Sequence, residues 1–171
     1  MVDSTRLIKF YSGSAPDDKG RFFSQILEWD YGLLENIHNY IQWLFPLTEL
    51  SAFNLTAPIL TTDDIKIFQN SAELKENLLK AFNLMLGFYG FQQVGSKIER
   101  ASNYKERIHN WVSYGNHNYL RITRILKCLC TLGLQQYAQA FLSVLDNVFS
   151  ENHDKIGNSY LYWKKAVKEA T

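Results

Sequence analysis

The chain has 171 residues, 46% of them hydrophobic and 20% charged, which is the ordinary make-up of a globular protein and leads us to expect one domain over residues 1–171. Eighteen basic residues against seventeen acidic leave a net charge of +1, which argues against the broad basic field of a nucleic-acid binder. No run of about eighteen apolar residues offers a membrane span, and no long apolar stretch follows Arg6 and Lys9 as in a secretory signal, so the expected location is the cytoplasm.

In chain order, Asp17 or Asp18 is expected to open a short helix through RFFSQILEW. Asp30 then caps a second helix from about Tyr31 to Phe45, which Pro46 stops. The stretch to Pro58 reads as loop. Thr61 or Thr62 before DDIKIF predicts a capped short helix with acids at its positive end, and Ser71 caps the next. That next helix, about 72–89, starts amphipathic and becomes apolar almost all round in AFNLMLGFYGF, the pattern of a buried central helix. Gly87 within it suggests a close helix approach, and Gly90 suits a left-handed C-terminal position. QQVGSKIERAS reads as irregular. Asn103 caps a short helix YKERIHNWV, a long helix runs from Tyr119 to Leu132 and ends at Gly133, and two more cover about Gln135 to Phe149 and 158–170. The expected fold is therefore all-α, an orthogonal bundle of about seven helices around the 72–89 helix.

Cys128 and Cys130 point roughly 200° apart on a helix and are expected to be free thiols. His38, His109, His117 and His153 include no i, i+4 pair, so neither a metal nor a cofactor is expected. On the 119–132 helix, Ile122, Ile125, Leu126, Leu129 and Leu132 form the core-facing arc. His117, Arg121, Arg124 and Cys128 share its flank, a set of donors suited either to an anion or to ion pairs with Glu99, Glu106 or Asp146. Asn118 falls inside the apolar arc, where an unpaired amide would cost about 1–3 kcal/mol, so it must be satisfied by a neighbouring backbone or by a ligand. On 31–45 the inward positions are Leu33, Ile37, Tyr40, Ile41 and Leu44, with His38 on the border and Gln42 just beyond. Trp43, Trp111 and Tyr119 could stack a ring. Enzyme signatures such as GxSxG, a P-loop, GxGxxG after a strand or HExxH are missing, which weighs against catalysis.

The segments HNYIQWLFPL, APILTTDDIKIF, AFNLMLGFYGF, ASNYKERIHNW and HNYLRITRILKCLCTLGLQQYA, in this order, resemble the conserved domain of the opioid growth factor receptor family over about Asp30 to Leu145, with a weaker fit back to Phe10. The resemblance implies an intracellular or perinuclear protein; animal members are described as methionine-enkephalin receptors that restrain proliferation. Those members continue into repeat-bearing tails with nuclear targeting signals, so the expectation here is the domain in isolation. The recurrent polar positions matched are His38, Gln42 and Trp43; Asn103, Tyr104 and Arg107; and Asn116, His117, Asn118, Arg121 and Arg124.

Three readings stand. In the first, these motifs converge on a pocket for a small peptide or an anionic small ligand, with Arg121 and Arg124 on the anion, Asn118 and Gln42 orienting it, and Trp43 or Tyr104 as a stacking wall. In the second, the polar set is an internal hydrogen-bond network and function lies on a surface that binds a protein partner. In the third, His38 or His117 is a general base in an unrecognised enzyme.

Overall fold

A computed structural model describes residues 5–168, and the chain divides into two compact units, Met1–Ala81 and Phe82–Thr171. The architecture is predominantly helical with one small two-stranded sheet, in keeping with the expected helical class. Ten helices occur among the described residues rather than about seven.

The first unit holds α1 (Arg6–Tyr11), α2 (Phe23–Leu27), α3 (Tyr31–Asn36), α4 (Ile41–Leu44), α5 (Thr62–Gln69) and the start of α6 (Ala72–Tyr89). The first of these, α1, has no counterpart among the expected helices. Thr5 holds it: its hydroxyl oxygen accepts from Ile8 N and its hydroxyl donates to Asp64 Oδ1 at 2.8 Å. Asp17 opens no helix. Its carboxylate accepts from Lys19 N and Arg21 N and pairs with the Arg21 guanidinium at 2.8 Å, so it organises a turn, and α2 begins only after Phe22.

The predicted 31–45 helix is two pieces. Asp30 caps α3 as expected, accepting from Leu33 N at 2.8 Å, but the helix ends at Ile37, whose backbone is extended (φ −95°, ψ 129°). The break takes α4 out of the register that a single continuous helix would impose. Leu33 is 42% exposed instead of buried, while Gln42, placed beyond the arc, is buried. Tyr40, Ile41 and Leu44 are buried as expected. The aromatic core packs edge to face, with Phe10 against Phe23 and Trp43 and Tyr11 against Phe68, and the buried Tyr11 hydroxyl donates to Leu44 O at 2.6 Å. Thr61 and Asp64 form a reciprocal capping box on α5, and Ser71 accepts from Leu74 N at the start of α6.

The second unit holds the rest of α6, strands β1 (Phe91–Val94) and β2 (Lys97–Arg100), α7 (Tyr104–Trp111), α8 (Asn118–Thr131), α9 (Gln135–Ile156) and α10 (Ser159–Lys168). The end of α6 buries Phe82, Met85, Leu86, Phe88 and Tyr89, though Asn83 stays exposed. The segment expected to be irregular is an antiparallel hairpin, Phe91 opposite Arg100 and Val94 opposite Lys97. Its two-residue loop is Gly95-Ser96, with Gly95 at φ +60°, the glycine-first turn that matches strand twist. All five residues of the predicted α8 arc are fully buried. The helix α9 continues past Phe149 to Ile156 through a kink at Asn152, whose side-chain amide bonds Val148 O. The last helix, expected over 158–170, is α10 as far as Lys168, and residues 169 and 170 lie outside the described residues. Trp163 fastens it by donating its indole N–H to Tyr119 O at 3.0 Å.

Candidate functional site

The candidate positions fall in both units. In the first, His38 is exposed in the extended link between α3 and α4. Gln42 is 5% exposed, and its amide donates to His38 O and accepts from Asn54 Nδ2, both at 3.3 Å, tying α4 to the following loop. Trp43 is buried within the aromatic core, with the Arg6 guanidinium 5.6 Å from its ring. Its indole face is a core wall and not an open shelf.

In the second unit the positions Asn103, Arg107 and Trp111 recur at i, i+4 and i+8 and so share one face of α7. That face covers the end of α6. A helix leaves its last carbonyls without intrahelical partners, and here each receives a donor. Asn103 Nδ2 donates to Gly87 O at 3.1 Å, Arg107 Nε to Phe88 O at 2.7 Å, and Trp111 Nε1 to Tyr89 O at 2.9 Å. Ala101 N completes the series on Gly90 O at 2.8 Å. The guanidinium of Arg107 also lies 4.8 Å from the Phe88 ring, bringing a positive charge to the negative end of the helix. Asn103 does not N-cap α7 with its side chain as expected; that amide is spent on α6, and no side-chain cap bond forms at α7. Trp111, expected only as a stackable ring, belongs to the same ladder. Its spacing from Asn103 and Arg107 is the signal in the sequence that points to it.

The packing of α7 on the end of α6 requires a close approach at Gly90. Gly90 has φ +93°, and a Cβ there would sit 2.7 Å from Tyr104 Cα and 3.1 Å from Arg107 Cβ. Tyr104 itself is buried under the Arg100 guanidinium, 4.3 Å from its ring. Burial raises its phenol pKa, opposed by the charge of Arg100 and reinforced by that of Glu151.

Asn116, Asn118 and Arg121 form a second connected group. Asn116 Oδ1 accepts from Asn118 N at 2.9 Å and Asn118 Nδ2 at 3.0 Å, while Asn116 Nδ2 donates to Ser113 Oγ and Asn110 O. Asn118 Oδ1 accepts from Arg121 Nη1 at 3.4 Å. Asn118 is fully buried and Arg121 is 5% exposed, so the polar intrusion into the apolar arc is met by this group.

The predicted stripe from His117 to Cys128 descends from solvent into the core. His117 is exposed, Arg124 half-buried and Cys128 fully buried. Burial pushes the Cys128 thiol well up despite the nearby Arg124 charge, so Cys128 is an inert core thiol and not a member of an exposed donor set. A cleft of about 220 Å³ opens beside the α9 kink, lined by Tyr114, Glu151, Asn152, His153, Asp154 and Lys155, and none of the candidate residues is among them. Among the described residues no helix is long and apolar enough to cross a membrane.

Comparison with known proteins supplies a family. The family model described as the opioid growth factor receptor conserved region matches residues 3–170. The chain is 47% identical over 124 residues to the opioid growth factor receptor of Rattus norvegicus, covering 69% of this chain and 21% of that protein. It is 45% identical over 124 residues to that of Homo sapiens, covering 69% and 18%. It is 37% identical over 152 residues to opioid growth factor receptor-like protein 1 of Mus musculus, covering 85% and 32%. The chain thus spans about a fifth to a third of these relatives' lengths. No solved structure matches it.

Proposed function

Because the chain belongs to the opioid growth factor receptor conserved-region family, we propose that it is a non-enzymatic module that binds a peptide or protein partner through its surface, while its distinctive polar residues hold the fold. The observation that carries this reading is the carbonyl ladder. Asn103, Arg107 and Trp111 donate to Gly87, Phe88 and Tyr89 of their own chain, and Asn118 and Arg121 donate within their own group. Buried networks of this kind specify how elements pack. A partner of peptide character is in keeping with relatives named as receptors for a growth factor. A cytoplasmic setting suits two buried free thiols.

Thermal melting of Asn118→Ala and Arg121→Ala, each with and without phosphate or ATP, tests it. Each variant is expected to lose about 2–4 kcal/mol, from the partners left unpaired, and neither anion is expected to raise the wild-type melting temperature. An anion-induced rise that disappears in Arg121→Ala would instead establish the anion-binding alternative, in which Arg121 and Arg124 hold the ligand.

A further inference from the structure

The longest segment between helices in the first unit joins α4 to α5, and it is built rather than slack. Leu60 N donates to Leu47 O at 2.8 Å and closes its ends. Ser51, 6% exposed, accepts from Phe53 N and Asn54 N at 3.3 and 3.2 Å. Asn54 donates to Gln42, and Thr56 Oγ1 donates to Asp18 Oδ2 at 3.1 Å. From this fastened backbone Leu50, Phe53 and Leu55 project with 55%, 81% and 70% of their surface exposed. Three large apolar side chains held outward by one loop are what an interaction surface requires and what a solvated loop avoids.

The charge around the loop selects its occupant. The loop from Leu47 to Leu60 has no lysine or arginine and carries one acid, Glu49. Glu49 is exposed within the loop, Asp63 is exposed just beyond it, and Asp18 holds Thr56. An anionic lipid surface would be repelled by these carboxylates. A second copy docking the same loop face to face would bring the same acids together. We propose that the closed loop Leu47 to Leu60 docks an apolar segment flanked by lysine or arginine in another protein. Phe53 and Leu55 serve as the anchors and the acidic surround sets the partner's charge. This names the partner class for the binding reading above and rests on it.

The test uses fluorescence anisotropy of the full chain with two synthetic peptides that share leucine and phenylalanine anchors, one flanked by lysine and one by glutamate. The lysine-flanked peptide is expected to bind wild type at least about tenfold more tightly than the other. The double variant Phe53→Ser, Leu55→Ser is expected to weaken it about tenfold with the melting temperature unchanged, and Leu161→Ser on α10 to leave it unaltered. Equal affinities for the two peptides, or no binding of either, would overturn the proposal. So would a concentration-dependent dimer, or binding to phosphatidylserine vesicles, that is lost in the double variant. If the lysine-flanked peptide binds wild type and double variant alike, the loop assignment falls while the binding-module reading survives; the anion-dependent rise described above would remove that reading instead.

Discussion

Gly90→Ala is expected to be strongly destabilising. Two costs coincide. At φ +93° an L side chain is strained, at about 1–2 kcal/mol in the left-handed region. The new Cβ would also lie 2.7 Å from Tyr104 Cα, an atom of the backbone that cannot swing aside as a side-chain tip can. Forcing α7 outward would lengthen the bonds from Asn103, Arg107 and Trp111 to the α6 carbonyls together. Adding about 1–3 kcal/mol for overpacking gives an expected loss of about 2–5 kcal/mol, measured by urea denaturation. Gly13→Ala separates the terms: Gly13 has φ +84° but nothing within 4 Å of the added atom, so it is expected to lose only about 1–2 kcal/mol, the conformational part. Equal losses at the two positions would contradict the close-approach account.

Arg107→Ala is expected to cost about 2–3 kcal/mol, because the charged donor to a buried carbonyl is removed. The Phe88 oxygen sits 2.7 Å from Arg107 Nε in an interior that water does not fill for free. The lost contact with the Phe88 ring adds to this. Arg107→Met retains most of the stem's packing while removing the donor, so it is expected to recover about 1 kcal/mol of the alanine loss and no more. Full recovery in the methionine variant, read from the denaturation midpoint, would mean that Arg107 acts through bulk and that the carbonyl ladder is incidental.

The features legible in the sequence are mainly those that neighbours in the chain decide. Asp30, Thr61 and Ser71 satisfy amides three positions ahead, and the apolar arc of α8 follows from helical period alone. The break at Ile37 is hidden because the apolar pattern of 31–45 fits one helix as well as two. No proline or glycine marks the stop, and the break's support, the Tyr40 hydroxyl on Leu34 O at 2.7 Å, is a contact across it. The Gly95-Ser96 turn carries a hairpin signal, muted by the alternating but mostly polar strands around it.

The candidate residues are visible in the sequence as polar groups that core packing does not explain, yet their role depends on partners distant in the chain. Asn103, Arg107 and Trp111 look alike whether they face a ligand or a helix end. Only the placement of Gly87, Phe88 and Tyr89 opposite them distinguishes the two. The apolar surface between α4 and α5 reads in sequence simply as loop, since exposure of Phe53 and Leu55 is a property of the fold and not of the local sequence.

Binding through an apolar acidic-rimmed surface, with the polar residues holding the domain together, is tested most directly by amide chemical-shift mapping with the lysine-flanked peptide. The expected perturbations fall on Leu50, Phe53, Leu55 and Glu49, with Asn103, Arg107, Asn118 and Arg121 unmoved. Perturbations centred on Arg107, Asn118 and Arg121 with the loop silent would contradict it.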